Sequence, residues 1–139
     1  MVFSTKQRVP CLEEGLRPDL YAYLAGICRH TGGEAYRVGG MADHVHLACA
    51  LPRTLTVSRL LQELKSASSA WVKQQGSQYG QFAWQAGYGA FSIGQSQVPA
   101  LVRYVDRQAK HHEVSTFQEE YVALLRKYQV TYDERQLWS

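Results

Sequence analysis

Met41-Ala-Asp-His44-Val-His46-Leu-Ala-Cys49-Ala-Leu51 is an apolar run interrupted by two histidines two residues apart. In a β-strand, residues i and i+2 point to the same face. The run therefore predicts a strand that projects His44 and His46 side by side and turns Val45 and Leu47 into a core. Two neighbouring neutral imidazoles are half of a metal site. On the pair alone, two histidines on a solvent-facing strand are the default. The residues that shift the balance lie downstream, at Tyr104 and Gln108.

Working outward, Glu34 to Val38 reads as a preceding strand. Gly39-Gly40 allows a turn or bulge between the two, so they predict an antiparallel hairpin. Met1 to Thr5 reads as a first strand. Pro18 and Asp19 can open a helix, on which Leu20, Leu24 and Ile27 recur at near-helical spacing until Gly32-Gly33. After Pro52, Thr56 or Thr54 caps a long helix with Val57, Leu60, Leu61, Leu64, Ala67, Ser68 and Trp71 on one face. The aromatic, glycine-bounded stretches Phe82–Trp84 and Tyr88–Ile93 read as two further strands or one bent strand. Pro99 sits near the first turn of a helix running to about His112. Thr116 and Glu119 have the spacing of a capping box for a last helix carrying Tyr121, Leu124, Leu125 and Tyr128. The tail from Thr131 is polar, with Trp138 as an anchor. The resulting order is β-α-β-β-α-β followed by helices. This is an α+β, ferredoxin-like or RRM-like antiparallel sheet with helices on one face plus C-terminal helices.

The 139 residues suit one domain, taken as 1–139, with no internal repeat or linker. An apolar fraction of 45% and a charged fraction of 19% are those of a globular protein. A net charge of +3 permits a polyanionic partner without demanding one. Cys11, Cys28 and Cys49 are odd in number and widely spaced, which argues against a disulfide framework and for a reducing compartment. The N-terminus MVFSTKQR lacks the plan of a signal peptide, and no apolar stretch is long enough to span a bilayer. A cytoplasmic protein with no membrane partner is expected.

Tyr104 and Gln108 are i and i+4 on the helix after Pro99 and share a face, with His111 and His112 close to it. A phenol, an amide and imidazoles pointing one way are not explained by packing, since Leu101, Val102 and Val105 already offer an apolar side.

Together these motifs resemble the single-tyrosine HUH transposases, the insertion-sequence-200-like enzymes and their REP-associated tyrosine transposase relatives. HUH denotes His, hydrophobic, His, here His44-Val45-His46 behind Asp43. Val2–Lys6 is similar to the family's first strand, and Val38-Gly-Gly to its second. Leu64-Lys65-Ser66 with Ser68-Ser69 is similar to its helix motif. Phe82-Ala-Trp84-Gln85 with Gly87-Tyr88 and Phe91-Ser92 is similar to the stretch before the nucleophile. Tyr104-Val105 with Gln108 and His111-His112 is similar to the nucleophile helix. H-x-H alone is weak, whereas these ordered matches at compatible spacings are specific.

The resemblance implies a DNA transposase that nicks single-stranded DNA and transfers strands. Tyr104 would attack a phosphodiester and form a 5′-phosphotyrosine, releasing a 3′-hydroxyl. A phenol with a pKa of about 10 needs activation, and the resemblance implies a divalent metal held by His44, His46 and Gln108. Mg²⁺ is expected, with Mn²⁺ able to substitute. Lys6, Lys65, His111 and His112 are the DNA-binding candidates, with Arg8, Arg53, Arg103 and Arg107 weaker ones. The implied partners are single-stranded DNA with hairpin ends and a second copy, in a homodimer whose active sites take the HUH pair from one subunit and the tyrosine helix from the other.

Two other readings compete. A zinc-dependent hydrolase or structural zinc site would use His44 and His46 with Cys49, His111 or His112, although Cys49 should face the other side of the strand. A non-catalytic nucleic-acid-binding module would need aromatics on the third strand, which carries histidines instead.

Overall fold

Three β-strands, four α-helices and three short 3-10 turns are found among the described residues, 1–108 and 116–130, of the computed structural model. The strands are β1 (Val2–Ser4), β2 (Glu34–Gly40) and β3 (His44–Ala50). They form one antiparallel sheet in the order β1-β3-β2, so the histidine strand is central. His46 lies opposite Val2 on one side and Gly39 on the other. A bulge between Ala35 and Arg37 interrupts the β2 edge.

The helices are α1 (Arg17–His30), α2 (Val57–Lys73), α3 (Val98–Asp106) and α4 (Phe117–Lys127). Pro18 and Pro99 stand in the first turns of α1 and α3, where no intrahelical N–H is lost. The Thr56 side chain caps α2 by accepting from the Arg59 amide at 3.2 Å. Thr116 and Glu119 close the expected capping box on α4.

Period-2 alternation sorts β3 into two faces. Val45 and Leu47 join Phe3, Leu20, Leu24, Cys28, Leu60, Leu61, Leu64 and Val72 in the main core, beneath α1 and α2. Each fully buried leucine there stabilises the fold by roughly 1.5–3 kcal/mol relative to exposure. His44 and His46 face the other way, and α3 and α4 cover them. The sheet is thus packed on both faces. The side left open in RNA-recognition domains is closed here, with Val2, His44 and His46 at 2%, 0% and 6% exposure.

Two glycines set this second layer. A Cβ at Gly39 would lie 2.8 Å from Val105 Cγ1 and 2.9 Å from the Val105 carbonyl oxygen, so only glycine lets α3 approach β2 this closely. A Cβ at Gly40 would lie 2.2 Å from the His44 carbonyl oxygen, which keeps the turn into β3 tight.

The expected fourth strand is absent as a continuous element. The segment from Trp84 to Gly89 runs antiparallel to β1 but meets it in two isolated bridges, Thr5 with Trp84 and Val2 with Gly89. Between the bridges the backbone bows outward. The Lys65 ammonium fills the bow, donating to the carbonyls of Gln85 and Gly87 at 2.7 Å each and of Ala86 at 3.4 Å. Those carbonyls are therefore turned away from a ladder. The helix expected to run to about His112 ends earlier: α3 stops at Asp106, where Arg107 (φ −97°, ψ 17°) caps it. Residues 109–115 and the tail with Trp138 lie outside the described residues.

Candidate active site

His44 and His46 stand in the middle of the sheet, and three side chains from α3, its C-terminal end and α4 close over them. His44 Nδ1 lies 2.7 Å from Asp43 Oδ1, and its Nε2 lies 2.9 Å from Gln108 Oε1. His46 Nε2 lies 3.0 Å from Glu120 Oε1. The other carboxylate oxygen, Glu120 Oε2, accepts a short hydrogen bond from the Tyr104 hydroxyl and one of 3.1 Å from Gln108 Nε2. The Phe117 ring stacks on His44 at 4.3 Å between centroids and 17° between planes. Tyr104 meets His46 edge-on at 5.6 Å.

Helical spacing explains the convergence. Tyr104 stands in the last turn of α3, and Gln108 lies just past the Arg107 cap yet still on the same side, its Nε2 3.5 Å from the Tyr104 carbonyl oxygen. On α4, Phe117 and Glu120 are i and i+3, so the ring and the carboxylate descend together on the histidines.

The donor set fits a cation. Gln108 Nε2 faces Glu120 Oε2, which aims the amide oxygen at His44. With Nδ1 donating to Asp43, His44 turns its other nitrogen toward two acceptors, Gln108 Oε1 at 2.9 Å and Glu120 Oε1 at 3.5 Å. A bound cation would find these donors converging on it. The ligand atoms of His44, His46 and Glu120 lie within 4.8 Å of one another and all three residues are buried. Two imidazoles, a carboxylate and an amide oxygen are donors that Mg²⁺, Mn²⁺ and Zn²⁺ all accept. Asp43 behind His44 completes the usual carboxylate–histidine arrangement that orients a ligand.

Burial dominates the titration of the cluster. It lowers His46 below its ordinary value, partly offset by Glu120, so the imidazole is held neutral. Burial also raises Glu120, but the hydrogen bonds it accepts from His46 and Tyr104, with the adjacent imidazoles, more than offset this. They hold the carboxyl well below the usual carboxylate range. The Tyr104 phenol is pushed well above its ordinary value, by burial and then by its bond to Glu120.

The sequence model of the family described as "Transposase IS200 like" matches residues 1–108, more than three quarters of the chain. The chain belongs to the IS200-like transposase family. Family membership implies DNA cleavage and rejoining in transposition. The fold agrees with that of a solved structure from Deinococcus radiodurans R1, provisionally named a transposase. The two share 20% identity, cover 77% of this chain and 86% of that one, and superpose with a TM-score of 0.59. No curated protein matches the sequence.

In this transposase four sequence-predicted residues, His44, His46, Tyr104 and Gln108, come together. Glu120 joins them and was not anticipated. Its signal was present, however. Phe117, Glu120, Tyr121 and Leu124 share one helical stripe, and a carboxylate inside an apolar stripe demands a buried partner. Lys65 is directed at the backbone carbonyls of the bow, and burial lowers its ammonium to about 8. The Lys6 side chain is exposed near the start of the chain. His111 and His112 lie outside the described residues. Cys49, a ligand in the zinc reading, instead contacts Cys28 across the main core. Among the described residues no helix is long and apolar enough to cross a membrane.

Proposed function

We propose that this transposase nicks and rejoins single-stranded DNA through Tyr104. The observation that carries the reading is the single network linking the Tyr104 hydroxyl, through Glu120, to His44, His46 and Gln108. The phenol oxygen, oriented by its hydrogen bond to Glu120 Oε2, attacks the scissile phosphorus, and its proton is released to solvent. The bond to the 3′-oxygen breaks, that oxygen takes a proton from solvent, and a 5′-phosphotyrosine remains. Its phosphodiester energy is retained, so a 3′-hydroxyl reverses the step and strand transfer needs no nucleotide hydrolysis.

His44, His46 and Gln108 would hold a divalent metal, Mg²⁺ with Mn²⁺ as substitute, and Glu120 Oε1 is a fourth donor. When bound, the metal polarises the phosphate and stabilises charge on its oxygens. Asp43 fixes the His44 ring, and Gln108 both bonds Glu120 and presents its oxygen to His44.

The substrate we infer is single-stranded DNA with hairpin ends, as the resemblance to the single-tyrosine HUH enzymes implies. The one-chain geometry supports Tyr104 acting beside its own chain's histidines. A homodimer that exchanges tyrosine helices is the second arrangement. Mixing Tyr104→Phe and His44→Ala proteins separates the two, because only shared sites restore an active pair.

The decisive experiment is covalent capture. Labelled single-stranded DNA carrying the hairpin beside this gene is incubated with protein and Mg²⁺ or Mn²⁺, then run on a denaturing gel. A protein-linked band is expected that disappears with EDTA, with Tyr104→Phe and with His44→Ala. A band that persists in Tyr104→Phe overturns the assignment of the nucleophile.

A further inference from the structure

Against the outer side of Tyr104 and His46 lies a cavity of about 310 Å³. It belongs to neither the metal-ligand cluster nor the main core. Its floor is Val2 and Val105, both buried. Half-buried Phe91 and Tyr128 form one wall, their rings stacked at 4.9 Å and 28°. At the rim stand the exposed side chains of Gln97 and Lys127, with the Lys127 ammonium 5.5 Å over the Tyr128 ring. The cavity grades inward from a cation and an amide, past aromatic faces, to an apolar base that ends on the tyrosine.

We propose that this cavity receives one unpaired nucleobase of the DNA strand, that of the nucleotide next to the phosphate attacked by Tyr104. The inference rests on the tyrosine reading above and extends it to where the cut falls. The size suits a small flat ligand, since the cavity is at the lower end of the roughly 300–1,000 Å³ typical of small-molecule sites. Aromatic walls stack any base by its face at about 1–3 kcal/mol each. Gln97 carries both a donor and an acceptor for a base edge. Lys127 at the mouth meets the backbone phosphate that must follow the base in. A base within a duplex has its faces and edge engaged, so entry requires a strand that is unpaired at the cut. Choice of the cleaved nucleotide is then made partly by this protein pocket.

The pocket can be tested without catalysis. Methyl NMR of the full chain follows Ile93, Leu101 and Leu124 during titration with the four deoxynucleoside monophosphates and with four-residue homopolymers of T, C and A. Shifts confined to these pocket methyls are expected, with binding at least fivefold weaker in Ala100→Trp, which places a ring at the cavity's edge. Absent pocket shifts, or binding indifferent to both Ala100→Trp and Phe91→Ala, overturn the proposal. A second measurement captures covalent adducts from a pool of random single-stranded 60-mers with Mn²⁺ and sequences them. The base next to the cut is expected to be selected by the wild type, and that one preference is expected to change in Ala100→Trp. An unchanged preference overturns the pocket. Pocket shifts in the absence of any adduct retain the pocket and overturn the tyrosine chemistry.

Discussion

Tyr104 donates its hydroxyl hydrogen bond to Glu120, a residue of a different helix, and both are closed in against the histidine pair. The phenol is therefore held by a carboxylate whose other oxygen faces His46. Removing the carboxylate leaves the Tyr104 hydroxyl and the Gln108 amide without this buried acceptor. Glu120→Ala is expected to destabilise the chain by about 1–3 kcal/mol, read as a lower midpoint in urea. Glu120→Gln should retain most of that stability while weakening Mn²⁺ binding in EPR titration. Equal Mn²⁺ affinity in Glu120→Gln and wild type would remove Glu120 from the ligand set.

Acid should loosen the metal-free protein from an identifiable pH. His46 is lowered below its ordinary value of 6.5, so under that pH the unfolded chain binds a proton that the folded chain refuses. Glu120 is held below its ordinary value of 4.5, so beneath that pH the unfolded chain again binds more protons. Both signs agree: stability falls as pH falls, first below 6.5 and more steeply below 4.5. Each group contributes a slope of at most about 1.4 kcal/mol per pH unit. Urea unfolding in EDTA between pH 7.5 and 4 checks this, and a flat profile from 7 to 5 would refute the His46 part.

Among the described residues, Asp43 reaches the site through His44 Nδ1. Asp43→Asn is expected to lower Mn²⁺ affinity about 10–100-fold, the usual effect of losing a carboxylate behind a ligating histidine. Isothermal titration measures it. An unaltered affinity would mean that packing against Phe117 alone orients the ring.

Gly39→Ala should displace α3 from β2, because the added methyl meets Val105 at both its side chain and its carbonyl. Overpacking of this kind costs about 1–3 kcal/mol. Adduct formation should suffer along with stability, since Tyr104 and Gln108 ride on the displaced helix end. Adding Val105→Ala is expected to restore only part, the carbonyl contact being untouched.

Lys65→Met should destabilise the bow at 85–87 by removing the donor to its carbonyls. The salt dependence of single-stranded DNA affinity is expected to stay unchanged, since the ammonium is spent on backbone. A salt slope reduced by nearly one would instead place Lys65 on a phosphate.

How much of this could be read beforehand varies from element to element. His44 and His46 were legible because strand period forces them onto one face. Tyr104 with Gln108 was legible because helical period does the same. The covering of that face was not legible, since it depends on how α3 and α4 dock, and docking is fixed by contacts such as Gly39 with Val105 that no local pattern announces. Glu120 was hidden for a related reason. Next to it, Glu119 closes a capping box, and the acidic pair reads naturally as a helix start. The aromatic stretch from Phe82 to Ile93 carries strong strand propensity, yet Lys65 and the glycines turn its carbonyls out of register. The sequence pattern predicts a ladder there, and a side chain from a distant helix interrupts it.

The capped helix α4 lies beyond residue 108, where the family match ends. Synthesis from the N-terminus thus delivers the histidines first, the tyrosine later, and the carboxylate that holds it after both. A product broken off after Gln108 would carry the whole matched span but lack both Glu120, which holds the Tyr104 hydroxyl, and Phe117, which stacks on His44. Under the proposed tyrosine chemistry, a half-made copy lacks the carboxylate that holds the phenol in place.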